Sequence, residues 1–325
     1  MPGYSKFWAL MMGGLAPVLL TPPVEAQSIV PNADSANTQV IQSGSQYNIT
    51  GGQSSADGQN LFHSFQTFGL STGEIANLIA QPEVQNILGR INGGNASVID
   101  GVLQVTGSQA NLYLLNPAGV LFGPNAALNL PGSLTATTAD GISLAGGRFD
   151  VIGNPDYAAL VGQPNTLWFR VVQPGAVVNA GDLQLGDNQT LMLVGGTVVN
   201  DGTLSTAGGE IAIAAVPGEQ LVRLSPTGSI LSYEISPETP PGTPVINPLS
   251  LPELLTGTDT ELTVTNNTVQ IAQVAIPTEA GTVIVSGQVN ASNPAGTGGS
   301  LFLLGDTVGV VEGDLQATGT TGGSV

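Results

Sequence analysis

The 325-residue chain contains no cysteine, one histidine, and 5 lysines and arginines against 23 aspartates and glutamates. Each scarcity excludes a class of function. Without cysteine there is no disulfide and no thiolate metal site. One histidine, and no Gly-Gly-x-Gly-x-Asp array for calcium, leave no metal or other cofactor to be expected. A net charge of −18 with so few cations argues against nucleic acid, because neutralising phosphates needs clustered Lys and Arg. It equally disfavours anionic lipid, and the acidity serves solubility. The 45 glycines do not mark disorder, since 41% of the residues are apolar and can fill a large core.

One apolar run stands out, at the N-terminus. Lys6 precedes Phe7 to Leu20, and Thr21-Pro22-Pro23-Val24-Glu25-Ala26 follows. A charged start, an apolar segment and a small-residue exit are the layout of a secretory signal peptide, with cleavage between Ala26 and Gln27. Gly13, Gly14 and Pro17 interrupt the run and make it short for a membrane anchor. Cleavage removes Lys6 and Glu25 together and leaves the charge at −18. In an exported chain the lack of cysteine has two readings. A large domain does not need disulfides, or the chain must pass a narrow pore unfolded, where a covalent loop would jam.

Short segments rich in Val, Ile, Leu and Thr alternate with Gly, Asn and Asp, and some repeat. Gly175-Ala176-Val177-Val178-Asn179-Ala180-Gly181-Asp182-Leu183 returns 21 residues later as Gly196-Thr197-Val198-Val199-Asn200-Asp201-Gly202-Thr203-Leu204. Gly287 to Ala291 prefigures Gly313 to Ala317, and Gly298-Gly299-Ser300 returns as Gly322-Gly323-Ser324. A period of roughly 20–25 residues fits one coil of a solenoid, stacked on the next at about 4.8 Å. The crossover rule makes the coil right-handed. We therefore expect an all-β, right-handed parallel β-helix (solenoid) with extra-helical strands or loops. Val283, Val285, Leu301 and Leu303 should point inward, and Gly and Asn should take the corners. A β-sandwich is the structural alternative. Val84, Ile87, Leu88 and Ile91 follow Pro82 at helical spacing and predict one short helix over 82–91. Residues 231–258 hold six prolines and no repeat, so they read as an excursion from the stack.

Parallel β-helices also host polysaccharide lyases and hydrolases. Lyases need a base and usually a cation held by acids. Beyond the leader only Arg90, Arg148, Arg170 and Arg223 are basic, and they are widely separated. Hydrolysis needs two carboxylates at fixed separation. Asp182 and Asp314 recur in matching Gly-Asp-Leu contexts, which in a repeat reads as a solvated face. His63, in Leu61-Phe62-His63-Ser64-Phe65, has no Gly-x-Ser-x-Gly elbow to serve and reads as a packed histidine. No catalytic residue is assigned, and the chain is read as not an enzyme.

The stretch with the most particular turn residues is Asn111-Leu112-Tyr113-Leu114-Leu115-Asn116-Pro117-Ala118-Gly119-Val120-Leu121-Phe122-Gly123. Asn, Pro and Gly occupy the places that a tight turn assigns them, and the same four letters return at Asn293-Pro294-Ala295-Gly296. On those grounds alone it is a corner between strands. Together with Gly94-Asn95-Ala96-Ser97-Val98-Ile99-Asp100-Gly101 and Phe62-His63-Ser64-Phe65-Gln66-Thr67-Phe68, however, it resembles the N-terminal two-partner secretion (haemagglutination activity) domain of filamentous-haemagglutinin-like exoproteins. The resemblance covers residues 30–145 well and the later coils more loosely. The family's usual form is Asn-Pro-Asn-Gly-Ile; here Ala118 and Val120 replace its second Asn and its Ile. The Asn-Pro-Asn-Leu motif of some members is absent.

The resemblance implies Sec export, capture by an outer-membrane β-barrel transporter with periplasmic receptor domains, and coiling outside the cell. It places the protein, secreted or at the cell surface, outside a Gram-negative-type cell that it leaves through the periplasm. The expected organisation is a signal peptide at 1–26, a secretion domain at 27–145 that begins the β-helix, and its continuation over 146–230. A Pro-rich excursion with extra-helical strands then occupies 231–280, and coils resume over 281–325, ending inside a repeat as if truncated. Asn116, Pro117, Ala118, Gly119 and Val120 form the candidate secretion motif. Adhesion is the expected role, with host or surface glycans among the partners such a role would bring. A β-helical polysaccharide enzyme and a remnant carrying the secretion module alone are the alternatives.

Overall fold

Short strands with inward aliphatic residues and small corner residues bury their apolar side by stacking on their own neighbours. The computed structural model shows that stack. It describes residues 29–225, 230–235, 242–255, 263–265, 268–271 and 274–325, so the expected signal peptide and its Ala26–Gln27 cleavage site lie outside the described residues. The first sheet orders Asn60–Thr67, Asn86–Ile91, Asn111–Leu115, Leu134–Thr137, Thr190–Gly195, Glu210–Ala215 and Ser300–Leu304 side by side. The second orders Ser97–Ile99, Val120–Phe122, Ala176–Asn179, Thr197–Asn200, Thr282–Val285 and Thr307–Val310. The third orders Ile75–Ile79, Val102–Thr106, Ala127–Asn129, Asp182–Gln184, Thr203–Ser205, Gln288–Asn290 and Asp314–Gln316. Pairing along all three is parallel, and each full coil visits them in turn. This is a parallel β-helix.

The sequence echoes are the register of the stack. Val177 lies beside Val198, Asn179 beside Asn200 and Leu183 beside Leu204. Ser300 bridges Ser324. Leu112, Leu134, Leu191, Ile211 and Leu301 form one inward column, each buried. Val283 and Val285 are buried as expected, and Leu303 is partly buried against the same core. Burying such a side chain stabilises by about 1.5–3 kcal/mol relative to leaving it exposed. Glycine serves the corners by close approach as well as by φ. A Cβ on Gly202 would overlap the Gly181 carbonyl below, and one on Gly287 would overlap that of Gly202.

Residues 29–54 close the N-terminal end. Val30–Pro31 and Gln53–Ser54 pair antiparallel to the first strand of the first sheet, and the hairpin Thr38–Ser43/Gln46–Gly51 caps the third.

Twice the chain leaves the stack at the same corner, between the first and second sheets: after Thr137 until Ala176, and after Ala215 until Thr282. The two excursions build one antiparallel sheet in the order Gly147–Asp150, Gly141–Leu144, Thr166–Trp168, Gln220–Leu224, Ile230–Ile235. Their joint is the pairing of Leu167 with Val222. That sheet covers the outside of the first one, so Phe62, Leu88, Tyr113 and Leu115 are buried against Ile142, Phe149 and Leu167. The second excursion also carries the short helix Leu251–Leu255, whose Leu251 and Leu254 cover Leu121, Val178 and Val199 on the outside of the second sheet. Antiparallel strands Thr263–Thr265, Thr268–Ile271 and Val274–Pro277 follow before the coils resume.

The helix expected over 82–91 is not there. Asn86–Ile91 is a strand, with every residue buried. Its Ile87 and Ile91 face the core while Leu88 faces the covering sheet. A strand buried on both faces lacks the alternation of a half-exposed one, and its apolar run mimics helical spacing.

Candidate functional site

The corner at 116–120 begins with the strand Asn111–Leu115, whose Leu112 and Leu114 point inward and whose Tyr113 and Leu115 point under the covering sheet. Asn116 ends it. Its Oδ1 accepts the Ala118 N–H at 3.1 Å, closing a local turn. Its Nδ2 donates to the Asn95 carbonyl at 2.9 Å and to Ser97 Oγ at 3.0 Å, both on the preceding coil. Its own N–H donates to the Thr137 carbonyl of the following coil at 2.9 Å, and its carbonyl accepts the Gly119 N–H at 3.1 Å. Pro117 brings no N–H that would need a partner here. Gly119 has φ of 135° and lies under Leu254, where a Cβ would sit 3.3 Å from Leu254 Cδ1. The Ala118 carbonyl accepts the Leu249 N–H at 2.9 Å. Val120 pairs with Ser97 and Val177.

All five motif residues are buried. Asn116, Ala118 and Val120 are 0% exposed. The corner therefore offers no side chain to a partner once folded. Ala118 lies in the apolar cluster outside the first sheet, which accommodates alanine where the family form has asparagine. The other turn of the stretch is also tied to its neighbours. Asp100 Oδ1 accepts the Asn125 N–H at 2.9 Å and Oδ2 accepts Asn125 Nδ2 at 3.0 Å, while Thr72 donates to Asp100 from the coil before. Asp100 thus links three coils, as Asn116 does. The later Asn293–Gly296 repeats the Asn Oδ1 contact to the Ala295 N–H at 3.1 Å, but there Pro294 and Ala295 are exposed.

The family model of the TPS secretion domain matches residues 26–243, which include this corner, the N-terminal cap and both limbs of the joint between the excursions. The chain belongs to the TPS secretion domain family. Among solved structures this TPS chain is similar to the HMW1 secretion domain from Haemophilus influenzae, with a TM-score of 0.51 and 16% identity over 88% of this chain. It spans 57% of that chain's length. It is also similar to the filamentous hemagglutinin secretion domain, with a TM-score of 0.45 and 18% identity over 92% of this chain and 99% of the other. At such identities the likeness is one of fold. No curated protein matches the chain. The chain thus carries a two-partner secretion domain.

The residues weighed for catalysis take structural places in the TPS fold. Each of the four arginines is ion-paired: Arg90 with Asp34, Arg148 and Arg170 both with Asp150, and Arg223 with Glu234. Arg90 is a clamp that the sequence did not single out. It donates to Ser64 Oγ, the Asp150 carbonyl, Asp34 and Tyr157, joining the cap, two coils and the first excursion. Burial alone would raise the Asp34 carboxyl, yet hydrogen bonds from Ser64, the Ala36 N–H and Arg90 outweigh it and hold the group below its usual range. His63 faces the interior of the first coil. Its Nδ1 lies 3.4 Å from Thr38 Oγ1, its Nε2 has no partner, and burial pulls its pKa down to about 4. Asp182 and Asp314 stand exposed in one column of the third sheet, with Thr203 and Gln288 between them. Three rungs separate them by about 14 Å, against the roughly 5–9.5 Å used in glycoside hydrolysis. Among the described residues no group of three or more His, Asp or Glu is placed to hold a metal ion.

Proposed function

We propose that this exoprotein crosses the inner membrane by the Sec route and is then recognised, still extended, by the periplasmic receptor domains of a cognate outer-membrane β-barrel transporter. Residues 27–145 are its targeting module, and Asn116, Pro117, Ala118, Gly119 and Val120 are part of what the receptor reads. Once outside, the chain coils from its N-terminal cap and serves as a secreted or surface-held adhesin. It does no enzymatic work in this reading.

The burial of the Asn116 corner supports this reading best. Every polar group of the Asn116 side chain is engaged in the folded coil. A receptor that reads this side chain must do so before the coil closes. The experiment compares Asn116→Ala with Ser97→Ala, which removes a hydroxyl that Asn116 Nδ2 meets in the folded state. Recognition of the extended chain predicts that Asn116→Ala lowers secretion while the periplasmic precursor persists, and that Ser97→Ala secretes normally. Equal loss from both variants would assign the corner to coil nucleation. Undiminished secretion of a chain lacking residues 27–145 ends the targeting proposal, and polysaccharide cleavage by the purified protein ends the non-enzymatic one.

A further inference from the structure

The extra-helical sheet covers the first sheet and the helix Leu251–Leu255 covers the second, but no described residue covers the third in this way. One outward column of the third sheet begins with Asn48, Asn77, Gln104 and Asn129. Their amides satisfy one another. Asn77 Nδ2 donates to Asn48 Oδ1 at 3.1 Å, Gln104 Nε2 to Asn77 Oδ1 at 3.2 Å, and Asn129 Nδ2 to Gln104 Oε1 at 2.8 Å.

The column continues through Gln184, Ser205 and Asn290, and there the ladder stops. Gln184 makes no side-chain hydrogen bond, Ser205 Oγ has no partner, and the Asn290 side chain only accepts the Ser292 N–H at 2.9 Å. A groove of about 470 Å³ opens where the pairing ends, lined by Asn129, Gln184, Ser205 and Asn290, with Asp187 at its wall. It crosses four coils, roughly 14 Å at the interstrand spacing.

We propose that this groove binds a short stretch of a neutral, unbranched polysaccharide, one sugar ring to a rung. The open amides of Gln184 and Asn290 both donate and accept, which is what successive sugar hydroxyls require. The rung spacing is close to the length of one pyranose ring in an extended chain. The groove lining holds no cation and one carboxylate, in a molecule of net charge −18, so an anionic polymer is repelled. Asp187 can accept hydroxyl protons from a neutral one. The proposal rests on the adhesive reading for its biological use, but folded protein tests it without an export step.

Purified protein is titrated with cellotetraose, xylotetraose and mannotetraose, with tetragalacturonate as the anionic control, by calorimetry and amide chemical-shift mapping. At least one neutral tetrasaccharide should bind saturably and shift Gln184, Ser205 and Asn290. The pair Gln184→Ala/Asn290→Ala should weaken it at least about fivefold, the value of one or two hydrogen bonds. Gln316→Ala, further along the column and outside the groove, should leave binding and the unfolding midpoint unchanged. No saturable binding of any neutral probe, equally tight binding of tetragalacturonate, or full binding by the paired variant overturns the proposal. The paired variant should be secreted normally, which separates this outcome from a failure of the export reading.

Discussion

At the residue scale, the corner side chains act as ties between coils. Asn116→Ala orphans the buried Ala118 N–H and Ser97 Oγ, at about 1–3 kcal/mol for each group left unpaired. Urea unfolding of the purified variant should show that loss beside any secretion defect. None of this burial was legible beforehand, because Asn, Pro and Gly together read as an exposed turn, and at Asn293–Gly296 the same letters do leave Pro294 and Ala295 exposed. His63 makes a second prediction. Unfolded, it takes a proton near pH 6.5; folded, it resists until about 4. Proton uptake therefore favours the unfolded chain, and stability present above pH 6.5 is lost as the pH falls towards 4, by about 3 kcal/mol in all. His63→Gln should flatten that part of the stability profile. The loss carried by Asp34 remains, and it falls at lower pH because its folded pKa lies below 3.8.

At the scale of elements, the coils were readable and their covers were not. The 21-residue echo is the pairing of Ala176–Asn179 with Thr197–Asn200, so a direct repeat disclosed a direct contact. The strands Gly141–Leu144, Thr166–Trp168 and Gln220–Leu224 repeat nothing, and the joint between Thr166–Trp168 and Gln220–Leu224 links two different excursions, so no repeat marks them. The trace they leave is indirect. Leu112-Tyr113-Leu114-Leu115 and Ile87-Leu88 place apolar residues on both faces because both faces are buried, which is also why the second imitated a helix. Arg90 holds the cover to the cap through a side chain that is 1% exposed. Arg90→Ala leaves Asp34 without its ion-pair partner and should cost about 3–5 kcal/mol in urea unfolding, with faster proteolysis in residues 145–163. Arg90→Lys keeps a charge but lacks the fork that reaches Asp150 and Tyr157 together, and should recover only part of the loss.

At the scale of the molecule, the two excursions complete one surface from segments far apart in the chain. A protein ending at residue 215 lacks Gln220–Leu224, so Thr166–Trp168 loses one of its two antiparallel neighbours and the apolar outside of the first sheet loses Val222 and Leu224. It should bind an apolar dye and aggregate more strongly than one ending at residue 243, which keeps that strand; fluorescence and sedimentation compare them. The helix Leu251–Leu255 acts over a still longer reach, since Leu249 and Leu254 close over Ala118 and Gly119 from far downstream. Any process that delivers this polypeptide N-terminus first has a built-in delay. The corner's outer side stays unroofed until well over a hundred further residues have arrived, so the moment of its sealing reports how much of the chain has come through.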